Sequence, residues 1–178
     1  MAALSHPRRS LLLAVPALLL AGCGFRLRQA PRFDFASLRI AGLEGNPVAV
    51  ELRRELRING LRAVNGADPV PPPVDGVPAP GPEVVLTVLT DQYERAAVGQ
   101  TAAGQIRELQ LRTRFRFRLR TADGRDLIED TEILIERELS FNETVVLSKA
   151  AEETRLFADM TSDIVQQVVR RLATVKAR

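Results

Sequence analysis

The 178-residue sequence predicts an α+β fold in which two helices pack on one face of a four-stranded, mostly antiparallel sheet. Two segments with helical periodicity predict the helices, and a long segment that alternates apolar and charged residues predicts the central strand. An acidic segment follows that strand after an Asp-Gly turn and predicts its antiparallel neighbour. The elements follow in the order β-α-β-β-β-α, and the second face of the sheet is expected to be polar.

A short strand and an amphipathic helix begin the domain. Residues 37–41 form the strand, and Asn46-Pro47 suits the cap and the first position of a helix. An apolar stripe with a spacing of four residues follows, formed by Val48, Leu52 and Leu56. Asn59-Gly60 supplies a left-handed stop, so the helix is expected to have about three turns.

Residues 67–82 contain seven of the 11 prolines in the sequence. This composition predicts an extended, solvated loop. A linker or a signalling ligand would have the same composition, but an extension of a tolerated loop is favoured. The segment does not mark a domain boundary, because too few residues precede it for an independent core.

The central strands come next. Residues 83–90 predict a strand that continues past Tyr93, and residues 99–104 predict a turn. Residues 109–120 are the clearest strand in the sequence. One face is apolar and consists of Leu109, Leu111, Thr113, Phe115, Phe117 and Leu119. The other face is polar and consists of Gln110, Arg112, Arg114, Arg116, Arg118 and Arg120.

Residues 127–139 predict the return strand, and residues 148–174 predict a long second helix. In the strand, the apolar side consists of Ile133, Ile135 and Leu139, and the acidic side of Asp130, Glu132, Glu136 and Glu138. In the helix, a stripe with helical spacing consists of Phe157, Met160, Ile164, Val168, Leu172 and Val175. Such a stripe is far more often part of a core than a ligand site.

The five arginines at alternate positions of the central strand have two interpretations. They span roughly 26 Å and can serve as a track for anions, which nucleic acid, anionic lipid and acidic protein loops all provide. Alternatively, they pair with the acidic return strand, at about 0.2–1 kcal/mol for each pair. Pairing within the hairpin is favoured. Whether these five arginines, called the arginine ladder below, also bind a partner stays open.

The length of the hairpin loop decides the register of these pairs. A three-residue loop, Ala122-Asp123-Gly124 with Gly124 left-handed, keeps the two faces separate. A two-residue Asp123-Gly124 loop would mix them. The longer loop is expected to produce five pairs: Arg120 with Asp126, Arg116 with Asp130, Arg114 with Glu132, Leu119 with Leu127, and Thr113 with Ile133.

Residues 1–22 predict a lipoprotein signal peptide. Arg8 and Arg9 precede an apolar run at residues 11–20, which is too short for a membrane span of about 20 residues but fits a secretory signal. The following Leu20-Ala21-Gly22-Cys23 resembles a bacterial lipobox, in which Cys23 becomes the lipidated N-terminus. Because Gly24 stands where an Asp would resemble an inner-membrane retention signal, the periplasmic face of the outer membrane is favoured.

The resemblance implies that Cys23 carries an N-acyl group and an S-diacylglycerol. These three chains anchor a protein far more firmly than one. Residues 23–178 are then expected to form a single domain that contains the Pro-rich loop at 67–82.

Removal of residues 1–22 changes the net charge and the set of side chains available for catalysis. The net charge of +3 falls to +1, with 23 bases and 22 acids, and His6 is lost. With no histidine and no free thiol, His-based acid–base catalysis, Ser-His-Asp triads, cysteine nucleophiles and His-containing zinc sites are excluded. Carboxylate-only mechanisms survive, but no pairing in this sequence singles one out. No enzymatic activity and no cofactor or metal is expected. A nucleic-acid partner is disfavoured, because the protein is exported and the arginine face has no interleaved aromatic residues.

Several motifs in this order resemble the LptE family of lipopolysaccharide-assembly lipoproteins. They are CGFRLR at 23–28, LRING at 56–60, GQIRELQL at 104–111 and LSKAAE at 147–152. The family fold is two helices on a four-stranded sheet. The resemblance implies a non-enzymatic protein that binds the outer-membrane β-barrel LptD, plugs and supports the assembly of that barrel, and binds lipopolysaccharide.

The resemblance also implies site residues. Lys149 matches a basic residue that the family uses for lipopolysaccharide, although a cation at a helix N-terminus opposes the macrodipole by about 0.3–1 kcal/mol. The family's second basic position aligns with Ala102, and Arg107 is the nearest substitute. An aromatic position of the family is Leu109 here, so a stacking role is lost. The alternative function is a structural envelope lipoprotein that docks or chaperones a membrane protein without binding glycolipid.

Overall fold

The fold is built around a mixed sheet with the strand order β2-β1-β3-β4-β5. The computed structural model describes residues 30–68, 81–141 and 146–177. Its elements are β1 (Ser37–Gly42), α1 (Pro47–Ile58), β2 (Arg62–Asn65), β3 (Val84–Gln100), β4 (Ile106–Thr121), β5 (Asp126–Ser140) and α2 (Val146–Thr174). The α+β class and the two helices are confirmed. Most of the Pro-rich loop, at residues 69–80, lies outside the described residues.

The prediction of four mostly antiparallel strands is confirmed in part: the strands number five, and the sheet is mixed rather than mostly antiparallel. The additional strand is β2, whose four residues are too few to show a recognisable alternation. It pairs in parallel with β1, and β1 also pairs in parallel with β3. Strands β3, β4 and β5 are antiparallel neighbours. Because parallel strands need a crossover connection, α1 is the segment that carries the chain from β1 to β2.

Helix α1 has the predicted bounds, but its first turn is capped by a residue of strand β3 rather than by the residue that precedes the helix. Asn46 has an extended backbone, as a cap residue should, yet its side chain makes no capping hydrogen bond. Instead the N–H of Val48 donates to Oδ2 of Asp91 on β3, at 3.3 Å. At the other end, Gly60 adopts a φ of 83°, which confirms the predicted left-handed stop.

A β-bulge turns Asp91 towards the helices. The pairing of β3 with β4 shifts between Val88 and Thr90, so Leu89 is an extra residue. Before the bulge the even-numbered residues of β3 face the core, and after it the odd-numbered ones do. Asp91 is therefore only 8% exposed. Without the bulge, an odd-numbered residue of β3 would lie on the open face of the sheet, which is the face opposite the helices.

The core lies between the sheet and the two helices. The predicted apolar face of β4 is confirmed, because each of its six residues is at most 2% exposed. Ile133, Ile135 and Leu139 of β5 are also buried. The stripe of α2 packs on this face, with Met160, Ile164, Val168 and Leu172 each 0% exposed. A fully buried Leu or Phe side chain contributes about 1.5–3 kcal/mol, so this interface fixes the position of α2.

The sheet continues well beyond the end of β1. Strand β1 pairs with β3 from Val84 to Val88, so within the described residues the rest of β3 has β4 as its strand neighbour. Two ion pairs connect this part of the sheet to α2: Arg95 with Glu153 at 3.2 Å, and Arg137 with Asp163 at 3.0 Å. Each pair is partly exposed and contributes about 0–1 kcal/mol.

Candidate functional site

Arg107 and Lys149 lie at the same end of the sheet. Arg107 is the second residue of β4, and its carbonyl oxygen accepts a hydrogen bond from the N–H of Phe141 at 2.8 Å. Lys149 lies near the start of α2, and its Nζ donates to Oγ of Ser140 at 3.2 Å. Because Ser140 ends β5 and directly precedes Phe141, the fold brings together two residues that are 42 positions apart in the sequence.

Lys149 is half-buried and already has a counter-charge. Its side chain is 18% exposed, and Nζ lies 2.8 Å from Oε2 of Glu152, three residues along the helix. This carboxylate and the hydroxyl of Ser140 explain how a cation is held near a helix N-terminus against the macrodipole. A bound phosphate would compete with Glu152 for the same ammonium group.

Arg107 is the more accessible cation. Its residue is exposed, and its side chain makes no hydrogen bond or ion pair within the described ranges. Ala102 is exposed in the turn between β3 and β4, where it adds no charge. Leu109 is 2% exposed and belongs to the core, so it is not available to stack on a ligand.

The register of the β4–β5 hairpin differs in part from the predicted one. The three-residue loop is confirmed, since the N–H of Thr121 donates to the carbonyl of Arg125 at 2.9 Å and Gly124 has a φ of 93°. Arg120 lies opposite Asp126 as expected. Two register shifts then displace β5 by two residues, so the pairs predicted further from the loop are wrong. The observed pairs are Leu119 with Ile128, Arg116 with Glu132, Arg114 with Leu134, and Thr113 with Ile135.

A displacement of two residues keeps the two faces separate, because side chains alternate with a period of two. The charged face therefore survives, and two of the three predicted ion pairs, Arg116 with Asp130 and Arg120 with Asp126, still form. The predicted pair of Arg114 with Glu132 is replaced by one of Arg112 with Glu136. Three are present: Arg112 with Glu136 at 2.7 Å, Arg116 with Asp130 at 3.6 Å, and Arg120 with Asp126 at 2.5 Å. The hairpin thus neutralises alternate arginines of the ladder, and the favoured pairing interpretation accounts for three of the five.

A polar cluster that the sequence analysis missed lies under α1 and α2. Burial raises the pKa of Asp91, and the hydrogen bond from the Val48 N–H opposes this effect. Burial likewise raises the pKa of Tyr93 to about 12. The Tyr93 hydroxyl lies 3.0 Å from Oγ1 of Thr161 on α2, and its ring contacts Phe157 edge-on at 5.5 Å. These contacts join β3 to both helices, so the cluster is structural.

Arg39 is a second residue that the sequence analysis missed. It lies opposite Val85, which in turn lies opposite Arg120. Residues that face each other across paired strands share one side of the sheet, so Arg39 lies on the same face as the arginine ladder. The alternation of Leu38, Arg39 and Ile40 shows that Arg39 points away from the core, but only the parallel pairing of β1 with β3 brings it to this face.

The described residues contain neither a cluster of potential metal ligands nor a candidate membrane-spanning helix. Within them, no group of three or more His, Cys, Asp or Glu side chains is arranged to hold a metal ion. No helix in the same part of the chain is long and apolar enough to cross a membrane. Cys23 and the predicted signal peptide lie outside the described residues, so the lipidation site stays a prediction.

The comparisons with known proteins agree with this architecture. The family model LptE, described as lipopolysaccharide-assembly, matches residues 34–172. The chain belongs to the LptE family. This membership supports a role in lipopolysaccharide assembly and a location in the cell envelope, and it is consistent with the expected lack of enzymatic activity.

Solved structures of similar fold include three lipoproteins. The solution structure of an uncharacterized lipoprotein B from Nitrosomonas europaea is 28% identical, with a TM-score of 0.65 over 84% of this chain and 90% of that one. The rare lipoprotein B from Shewanella oneidensis is 20% identical, with a TM-score of 0.58 over 78% and 94%. A minor lipoprotein from Acinetobacter baumannii is 19% identical, with a TM-score of 0.56 over 78% and 91%. The latter two support the fold alone.

Proposed function

We propose that this LptE-family protein is an outer-membrane lipoprotein that binds the β-barrel LptD, plugs the barrel and supports its assembly, and binds lipopolysaccharide on its way to the outer leaflet. The observation that carries this proposal is the family match over residues 34–172, which spans β1 to nearly the end of α2. The lipobox-like segment that ends at Cys23 supports the anchor and the location.

The sheet end around Arg107 and Lys149 is the proposed contact for lipopolysaccharide. Phosphate groups of the glycolipid would accept charge-assisted hydrogen bonds from the exposed Arg107 guanidinium and from Lys149. Because Lys149 is shared with Glu152 at 2.8 Å, Arg107 is expected to make the first contact, and Lys149 to exchange its partner on binding.

Affinity capture tests the partner. The full-length protein with a C-terminal tag is purified from detergent-solubilised membranes. Recovery of a large β-barrel in a 1:1 complex supports the proposal, and a preparation without a barrel contradicts it. A protein that captures the barrel but does not bind lipopolysaccharide would instead be a docking lipoprotein.

Binding of lipopolysaccharide tests the site. The mature lipoprotein in detergent is compared with a variant that carries Arg107→Gln and Lys149→Gln. A matched control carries Arg155→Gln and Arg170→Gln, two exposed arginines of α2 with the same change in charge. The site variant is expected to bind at least about tenfold more weakly, since each hydrogen bond to a charged group contributes about 1.5–3 kcal/mol. Equal affinities of the two variants would rule out this site.

Detergent partition tests the anchor. Wild-type protein is expected in the detergent phase and in outer-membrane fractions, because three acyl chains hold a protein firmly in a bilayer. Cys23→Ala is expected to leave an unlipidated precursor. A wild-type protein that is released normally but stays in the aqueous phase would disprove the lipobox assignment.

A further inference from the structure

Arg114 and Arg118 are the two arginines of the ladder that make no ion pair with β5 in the described residues. Each alternates with an arginine that has a carboxylate partner on β5. Arg114 lies opposite Leu134 of β5, which is 45% exposed and offers no charge. Arg118 lies beside the segment of β5 in which the register shifts. In the part of the chain that the structure describes, neither guanidinium makes an ion pair.

The same two side chains also lack hydrogen bonds. Their Nε atoms are covered by neighbouring groups, and within the described residues they have no hydrogen-bond partner. Nε of Arg39, on the same face, is in the same state. Nε of Arg112 also makes no hydrogen bond of good geometry, but it lies 2.7 Å from Oε1 of Glu136, so its charge is compensated. Arg39, Arg114 and Arg118 make no ion pair within the described residues. Asp126 lies close enough to act on Arg118 as well, because its pKa is lowered mainly by the hydrogen bond from Arg120 and to a lesser degree by the charge of Arg118.

The strand next to these arginines supplies neutral donors. Thr87 lies opposite Arg118, Thr90 opposite Arg116, and Gln92 opposite Arg114. The side chains of these three residues make no hydrogen bond within the described ranges. Acidic side chains on this face are concentrated on β5, on the far side of the ladder. The side of the ladder that faces β3 is therefore rich in donors and free of carboxylates between Thr87 and Gln92.

The sheet fixes the spacing of the arginines that make no ion pair. Arg114 and Arg118 are four residues apart on one strand, which is roughly 13 Å at 3.3 Å per residue. Arg39 lies two strands away from the ladder and one side-chain row from Arg118, which is about 12 Å. A ligand that engages them together must carry at least two anionic groups separated by about one nanometre.

We propose that Arg39, Arg114 and Arg118 form a phosphate-binding surface on the open face of the sheet, where they bind the phosphorylated head group of lipopolysaccharide. This inference rests on the proposed function and adds a second contact, distinct from Arg107 and Lys149 at the sheet end. Guanidinium groups bind phosphate oxygens in bidentate fashion, and the adjacent hydroxyl and amide groups supply donors for the third oxygen. A carboxylate of an acidic protein segment offers only two oxygens and uses this arrangement less fully.

The test is binding of lipopolysaccharide to the mature lipoprotein in detergent, before and after phosphatase treatment of the glycolipid. The variant carries Arg114→Gln and Arg118→Gln, and the charge-matched control again carries Arg155→Gln and Arg170→Gln. The variant is expected to bind the untreated glycolipid at least about tenfold more weakly than the control. On the phosphatase-treated glycolipid the variant and the control are expected to bind equally.

Thermal unfolding of the same proteins separates binding from folding. Removal of two like charges that make no ion pair is expected to leave the melting temperature unchanged or to raise it, whereas a structural role would lower it. A second variant with Arg114→Lys and Arg118→Lys keeps the charges and the fold but loses bidentate geometry, so intermediate affinity is expected.

Four outcomes would overturn the inference. They are equal affinities of variant and control, a loss that persists after phosphatase treatment, a lowered melting temperature that accounts for the loss, and a loss of barrel capture with unchanged glycolipid binding. The last outcome would assign the surface to an acidic protein partner. If wild-type protein binds no lipopolysaccharide, the proposed function fails together with this inference. If wild type binds and the variant is unaffected, only the inference fails.

Discussion

Replacement of Asp91 tests whether a residue of β3 caps α1. Asp91→Ala removes the acceptor of the Val48 N–H, which has no other cap because the Asn46 side chain makes no capping hydrogen bond. Loss of an N-cap acceptor destabilises a protein by about 0.5–2 kcal/mol, and typically by about 1 kcal/mol. Asp91→Asn keeps an acceptor oxygen and is expected to remain within about 0.5 kcal/mol of wild type at neutral pH.

The pH dependence distinguishes the carboxylate from its amide. Burial raises the pKa of Asp91 above its ordinary value of 3.8. A raised pKa means that the folded protein binds this proton more tightly than the unfolded chain, so the stabilisation linked to protonation of Asp91 is present at low pH and is lost as pH rises through the raised pKa. The capping hydrogen bond from the Val48 N–H is a separate contribution. The stability of wild type relative to Asp91→Asn is therefore expected to fall as pH increases from 3.8.

Urea unfolding of the mature lipoprotein at several pH values measures both effects. Asp159→Ala, on an exposed residue of α2, serves as the control and is expected to change stability by no more than about 0.5 kcal/mol. The capping argument would be refuted if Asp91→Ala were as stable as wild type, or if Asp91→Asn lost as much stability as Asp91→Ala.

Two further predictions follow from individual residues. Tyr93 is the sole tyrosine of the sequence, so a tyrosinate absorbance titration is expected to give a midpoint near 12 in the folded protein; a folded-state midpoint at the ordinary 10.0 would contradict its burial. Because this pKa is raised, the associated stability is expected to disappear as pH rises from 10.0 towards 12. Gly42→Ala places a Cβ against the Val88 carbonyl at a φ of 86°, whereas Gly60→Ala, at 83°, meets no atom within 4 Å. Gly60→Ala is expected to lower the free energy of unfolding by about 1–2 kcal/mol, and Gly42→Ala by more, as measured by urea unfolding. Equal losses of stability would argue against the close approach of Gly42 to the Val88 carbonyl.

The sequence predicts the elements whose pattern is local and long. The alternation of β4 and the stripe of α2 each extend over more than ten residues, so the buried face can be recognised without knowledge of the partners. The Asp123-Gly124 turn likewise has a local signature, and Gly124 adopts the left-handed conformation that the turn requires. These features depend on backbone periodicity and turn chemistry, which a single sequence contains.

Bulges and pairings between distant strands are the features that sequence patterns did not predict. The bulge at Leu89 turns Asp91 inward, and the shifts in β5 move the partners of Arg114 and Arg116 by two residues. Both are irregularities in the pairing of two strands, which the alternation within one strand does not specify. The candidate site shows the same limit. Arg107 and Lys149 are brought to one end of the sheet only by their contacts with the end of β5, and Arg39 shares the face of the ladder only because β1 pairs with β3.

Because β1 pairs with β3 only as far as Val88, the two parts of the sheet are expected to open at different free energies. Up to Val88, β3 has a strand on each side. Beyond Val88, this part of the sheet depends on β4, β5 and the partly exposed ion pairs Arg95–Glu153 and Arg137–Asp163. Segments with fewer neighbours open at lower free energy than the global unfolding, so amide hydrogens of residues 94–100 should exchange with solvent sooner than those of residues 84–88. The end that bears Arg107 and Lys149 is therefore the part of this domain that can rearrange around a ligand while the remaining core stays folded.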